Sequence, residues 1–175
     1  MAARMRSFCY YIFMAHLEKK YRVTSFTKIL KKLRELGAVP VSQTSSLHYY
    51  AQQEGNNVTK LVHYDAKDEI HILKDDHGKY ELVESKRVKD VEEGLDWLKR
   101  LGYTTLDKIS MSYTEYPYQG GIVGLYVINN ELNSVILDFP PEKHARIEKE
   151  LGLEQAEQIK VPYNKYLQGV NNTKR

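Results

Sequence analysis

His16-Leu17-Glu18-Lys19-Lys20-Tyr21-Arg22-Val23 is the stretch on which the fold turns. Its period is two. His16, Glu18, Lys20 and Arg22 share one face of an extended chain, and Leu17, Tyr21 and Val23 share the other, with Lys19 as the exception. Such a strand has one apolar side to bury and one row of charges to keep wet, paired or liganded. Directly after it the period changes. Phe26, Ile29, Leu30, Leu33 and Leu36 follow the 3–4 spacing of an amphipathic helix over 25–36. Thr24 or Ser25 is placed to cap this helix, and Gly37 to stop it in the left-handed conformation.

Outward from there, the same grammar repeats. A second helix starts at Asp90 with Glu93 as its capping-box partner and ends at Leu101-Gly102. A third follows Pro140-Pro141 and ends at Leu151-Gly152. Further strands are predicted at 41–50, 58–64, 69–74, 79–88, 105–116, 122–128 and 132–139, with Gly120-Gly121 and Asn129-Asn130 among the turns. The order is strand, helix, three strands, taken twice, and Leu33-Arg34-Glu35-Leu36-Gly37 echoes Leu98-Lys99-Arg100-Leu101-Gly102. This suggests an α+β fold built from two β-α-β-β-β halves. These could close into an eight-stranded, mainly antiparallel β-barrel, a tunnel with its helices packed outside. A two-layer sandwich on an open sheet is the alternative, in which the polar rows are simply the solvated side. On either plan the apolar rows should face the helices, and in the sixth strand Lys108, Ser110, Ser112 and Thr114 form the polar row. Residues 162–168, with Tyr163, Tyr166 and Leu167, suit a short docking helix.

Composition sets bounds around this plan. The 175 residues carry 26 Lys or Arg and 23 Asp or Glu, a net charge of +3, so no global charge signal points to nucleic acid. One domain over residues 14–168 is expected, with 1–13 an extension or leader upstream of Met14 and 169–175 a tail. No run approaches the roughly 20 apolar residues of a membrane helix, and a cytoplasmic location is expected. Cys9 is the only cysteine, which excludes an intrachain disulfide. The charge is uneven: residues 1–40 hold nine Lys or Arg against two Glu, with Lys28, Lys31, Lys32 and Arg34 on the first helix. An interaction protein that uses this basic region on an acidic partner is one function class compatible with it. His16, His63 and His71 show no metal-binding spacing. Tyrosine outnumbers phenylalanine 14 to 4, which suits strands with one wet face. Tyr49, Tyr50, Tyr113 and Tyr116 could meet a base or ring only at a tunnel mouth.

The segment Glu18-Lys19-Lys20-Tyr21-Arg22-Val23 with its helix ending Leu36-Gly37-Ala38 resembles the opening of CYTH domains. That superfamily includes class IV adenylyl cyclases, thiamine triphosphatases and other triphosphate tunnel enzymes. The resemblance continues through Glu81-Leu82-Val83-Glu84, Val88-Lys89-Asp90, Leu101-Gly102-Tyr103, Lys108 five residues before Tyr113, and Ile159-Lys160-Val161-Pro162-Tyr163. It spans about residues 15–168 and implies the eight-stranded tunnel.

The resemblance also implies chemistry. Carboxylates would hold Mg²⁺ or Mn²⁺, and cationic side chains would cradle a triphosphate. Carried over by position, Glu18, Glu84 and Glu81 are the metal candidates, although the last two lie three residues apart and a regular strand would put them on opposite faces. Lys20, Arg22, Lys60, Lys74 and Lys108 are the phosphate candidates. The partner implied is an organic phosphate or nucleoside triphosphate. Ser110, Ile128 and Leu137 depart from the pattern where it carries a cation or carboxylates, and only Arg22 and Arg87 of eight arginines fall in predicted strands. Two readings therefore stand together: a metal-dependent triphosphatase or cyclase-like enzyme, and a catalytically silent binding module of the same fold.

Overall fold

The computed structural model describes residues 17–51, 57–76, 79–103 and 106–173, and their side chains except at 75, 76, 79–81 and 170–173. His16, Cys9 and the proposed 1–13 extension lie outside the described residues. The strands are β1 (Leu17–Val23), β2 (Ser42–Ala51), β3 (Asn57–Tyr64), β4 (Asp68–Asp76), β5 (Lys79–Val88), β6 (Leu106–Tyr118), β7 (Gly121–Ile128), β8 (Leu132–Phe139) and β9 (Glu157–Ile159). The α-helices are α1 (Thr27–Glu35), α2 (Val91–Arg100), α3 (His144–Leu151) and α4 (Tyr163–Thr173). No described helix is long and apolar enough to cross a membrane.

All nine strands form one antiparallel sheet in the order β5-β4-β3-β2-β6-β7-β8-β1-β9. The sheet curls into a half-barrel, and Cα atoms of β5 come within 8 Å of β1. The eight expected strands are present. The ninth, β9, pairs with Lys20–Arg22 of β1 and borders the sheet opposite β5.

Two clusters clad the convex side. Tyr21, Val123, Leu125, Val135, Leu137 and Phe139 pack with Ile29 and Leu33 of α1 and Ile147 and Leu151 of α3. Leu61, Ile70 and Val88 pack with Leu98 of α2. Helix stops follow the sequence: Gly37, Gly102 and Gly152 have φ of 71°, 90° and 70°. Asp90 caps α2 by accepting from the Glu93 N–H at 2.9 Å. At α1 the residue before the helix is Phe26, which offers no side-chain cap, so neither Thr24 nor Ser25 caps it. α4 runs past residue 168 to Thr173.

One face assignment differs from expectation. In β6, Ile109 and Met111 join a concave cluster with Ile136, Ile159 and Tyr163, while Lys108 and Ser110 are exposed on the other side. The reason lies in coverage. The convex helices leave a bare strip over the middle of β6, where polar residues are solvated. The concave side meets Tyr163 from α4, and apolar residues are buried there.

Candidate functional site

Residues of one parity on β1, β2, β3, β4, β6, β7 and β8 point into the concave side. There they line a cavity of about 190 Å³ together with Pro162 and Tyr163. Its ionisable lining is Glu18, Lys20, His48 and Lys60; the remainder is tyrosine and apolar side chains. The strand period thus delivers Glu18 and Lys20 together, and antiparallel pairing sets Glu18 opposite Asp138.

Each cation rests against an aromatic face. Lys20 is 3% exposed; its Nζ donates to the Val161 carbonyl at 3.0 Å and lies 5.1 Å from the Tyr163 ring centre. Lys60 Nζ lies 5.4 Å from the Tyr50 ring centre. These cation–π contacts offset part of the cost of burial. The Tyr163 hydroxyl donates to Ser134 Oγ at 2.8 Å, which anchors α4 in the concave wall. Asn164 and Gln168 donate to Asp107 at 3.0 and 2.9 Å and hold the same helix on β6. Tyr113 and Tyr126 stack with centres 4.6 Å apart. Tyr126 has room because Gly124 has no side chain; a Cβ there would stand 2.5 Å from Tyr126 Cε2.

Burial dominates the electrostatics. It lowers the Lys60 pKa to about 8, with Glu18 pulling the other way. It raises the Glu18 carboxyl, opposed by Lys20 and Lys60 and reinforced by Asp138. It pushes His48 well below its ordinary value, aided by Lys60 and His71. His48 is therefore neutral near pH 7. Its Nε2 is 2.8 Å from Ser46 Oγ, and its Nδ1 is buried with no partner among the described residues. Burial also raises the phenols of Tyr50, Tyr126 and Tyr163, and that of Tyr64 to about 12, so they serve as neutral hydroxyls.

The structure brings together Glu18, Lys20 and Lys60 of the sequence candidates. Arg22 follows on the same face of β1 but at its exposed end, where its guanidinium reaches Glu157 at 3.5 Å and the Tyr166 hydroxyl at 3.4 Å. Lys74 and Glu84 are exposed and do not line the cavity. Lys108 is exposed on the convex side, 5.8 Å from the Tyr49 ring centre. The side chain of Glu81 lies outside those described. A bulge shifts the β4–β5 register, so that Glu84 faces Ile72, Leu82 faces Leu73, and Val83 is left without a partner. Of the four tyrosines considered for a mouth, Tyr50 and Tyr113 line the cavity. Tyr49 and Tyr116 pack in the convex clusters instead.

Sequence reasoning missed Tyr64, Tyr126 and His48. A Gly two residues from an aromatic on the same strand face was the available signal for Tyr126. His48 gave none, because its neighbours in β2 carry no charge.

A divalent cation of the kind the resemblance implies needs several oxygen ligands. Among the described residues, no group of three or more His, Cys, Asp or Glu could hold an ion. Glu18 is the only carboxylate in the described cavity lining, and its electrostatic neighbours include two lysines. His63 is engaged with Asp68 at 2.6 Å and His71 with Glu69 at 3.2 Å. The donors described in this cavity do not make up such a set.

No protein-family model matches the sequence, and no curated protein matches it. Solved structures do. PH1012 from Pyrococcus horikoshii OT3 superposes with a TM-score of 0.71 at 18% identity, over 81% of this chain and 94% of that one. A candidate adenylate cyclase from Vibrio parahaemolyticus gives 0.65 at 11% identity, over 87% and 97%. HpAC1 from Hippeastrum, a candidate adenylyl cyclase described as revealing a dominant triphosphatase activity, gives 0.52 at 10% identity, over 78% and 88%. With a curled antiparallel sheet shared over most of each chain, and with the strand and helix order read from its own residues, this chain has a divergent CYTH-like fold.

Proposed function

We propose that this protein binds a phosphorylated organic ligand in the concave cavity and acts in the cytoplasm as a binding module. One observation carries the reading: Lys20 and Lys60 sit inside a cavity whose other walls are tyrosines and apolar side chains. Two ammonium groups suit phosphate oxygens, through charge-assisted hydrogen bonds. Neutral tyrosine hydroxyls add donors, and their rings offer a surface to the organic part. Glu18 serves as counter-charge to both lysines when the cavity is empty. Arg22, on the same row of β1, extends the cationic track to the surface. Lys74, Lys108, Glu84 and Glu81 take no part in this reading, and no metal-assisted step is assigned.

The fold likeness to HpAC1 favours a second reading, in which a triphosphate is bound with Mg²⁺ or Mn²⁺ and hydrolysed or cyclised. Thermal unfolding with ATP, thiamine triphosphate, tripolyphosphate and phenyl phosphate, each with and without either ion, tests the first. At least one should raise the melting temperature. Lys20→Ala should then weaken that ligand ten-fold or more, for a charged contact worth roughly 1.5–3 kcal/mol. If no compound shifts the transition, the binding reading falls. Metal-dependent release of phosphate or pyrophosphate above a Glu18→Gln control would favour the enzyme.

A further inference from the structure

We infer that the cavity selects a small phosphate monoester carrying an aromatic or apolar group, and discriminates against triphosphates. This deepens the proposed function and rests on it.

Charge count is the first argument. On the concave row, Lys20 and Lys60 face Glu18 and Asp138. His48 and His71 are held neutral by burial. Glu115 adds a further negative charge beside Tyr126 and Tyr64, and Arg22 at the outer end of the row is met by Glu157, so the interior has little positive potential to spare. A triphosphate brings about four negative charges, and a buried charge without a partner is strongly unfavourable. A monoester brings one or two, which two lysines can meet once Glu18 takes up a proton. The burial that already favours its neutral form assists that step.

Size and lining agree. A volume of about 190 Å³ is below the roughly 300–1,000 Å³ typical of sites for larger ligands. Beside the lysines the wall is formed by Tyr50, Tyr126, Tyr163, Leu73, Met111 and Ile136. That composition suits one ring or branched apolar group better than a chain of phosphates. His48 supplies an independent sign. Its Nδ1 is buried in the cavity wall without a partner among the described residues, although such groups are ordinarily satisfied. In the tautomer in which Nε2 accepts from the Ser46 hydroxyl, Nδ1 carries the proton and can donate to a ligand oxygen.

Isothermal titration of the full chain with phenyl phosphate, inorganic phosphate, tripolyphosphate and ATP tests the inference, with and without Mg²⁺. Phenyl phosphate should bind at least ten-fold tighter than each of the others. Lys60→Gln, checked for an unchanged circular dichroism spectrum, should weaken phenyl phosphate ten-fold or more. His48→Gln is a second variant and should weaken it several-fold. Tripolyphosphate or ATP binding as tightly as phenyl phosphate overturns the ligand class while leaving phosphate binding intact. Phenyl phosphate binding unchanged in a folded Lys60→Gln protein places it elsewhere and overturns the inference. If none of the four binds, the inference and the underlying reading fall together.

Discussion

Lys60 shows how one buried side chain couples ligand binding to stability. Its pKa falls from 10.5 to about 8 in the folded chain. Between those values the unfolded chain holds a proton that the folded chain has released. The charge on Lys60 therefore opposes folding fully below pH 8, and the penalty fades as pH rises toward 10.5. Lys60→Met should stabilise the protein at pH 7 by on the order of 1–3 kcal/mol, discounted for partial exposure. The gain should shrink at pH 10, as urea denaturation at both values would show. Anion binding should run the other way in the wild type, weakening as pH rises through 8. A variant that is destabilised at pH 7 would mean that Lys60 is a structural ion-pair member instead. At this scale the sequence was half legible. Glu18 and Lys20 are reached by counting in twos along β1, because no bulge interrupts that strand. Lys108 was not, because its parity depends on which side of β6 the helices leave bare, and local spacing does not encode that.

Elements owe their positions to close contacts that propensity does not reveal. Gly94 in α2 is the clearest case. A Cβ there would stand 2.6 Å from Leu61 Cδ1, so the missing side chain sets how near the helix lies to β3. Gly94→Ala gains helix propensity of about 1 kcal/mol. It should nevertheless destabilise the protein by about 1–3 kcal/mol, since Leu61 is fully buried and has no room to move. Chemical denaturation would register this, and a stabilised variant would show that α2 rides on a yielding contact. Helix ends were legible throughout, since each Leu-Gly pair marks a left-handed stop that is local chemistry. α4 was legible only as a docking segment. Its depth is set by Tyr163 reaching Ser134 across 29 residues of sequence, a pairing invisible to any window.

The strand order of the whole molecule was readable because turns and helix stops punctuate the chain at regular intervals. Curvature was not legible in the spacing of residues, which left an open sheet equally allowed, and came only with the family resemblance, since it arises from twist and from the register break in β5. That strand has an unusual situation. Every described side chain from Leu82 to Arg87 is exposed, including Leu82 at 54% and Val83 at 62%, and its outer backbone edge, part of which comes within 8 Å of β1, is hydrogen-bonded to no other described strand. An edge of ten residues with two bare aliphatics is a template onto which a second chain could add. The extra residue Val83 and the flanking Glu84, Lys86 and Arg87 kink and charge that edge. Deleting Val83 would straighten it and should add higher-mass species to the size-exclusion profile of the wild type; an unchanged profile would assign the protection to the charges alone. The misfit in the β4–β5 pairing thus acts as a safeguard against fibril-like growth, keeping the open side of the half-barrel from becoming a seam.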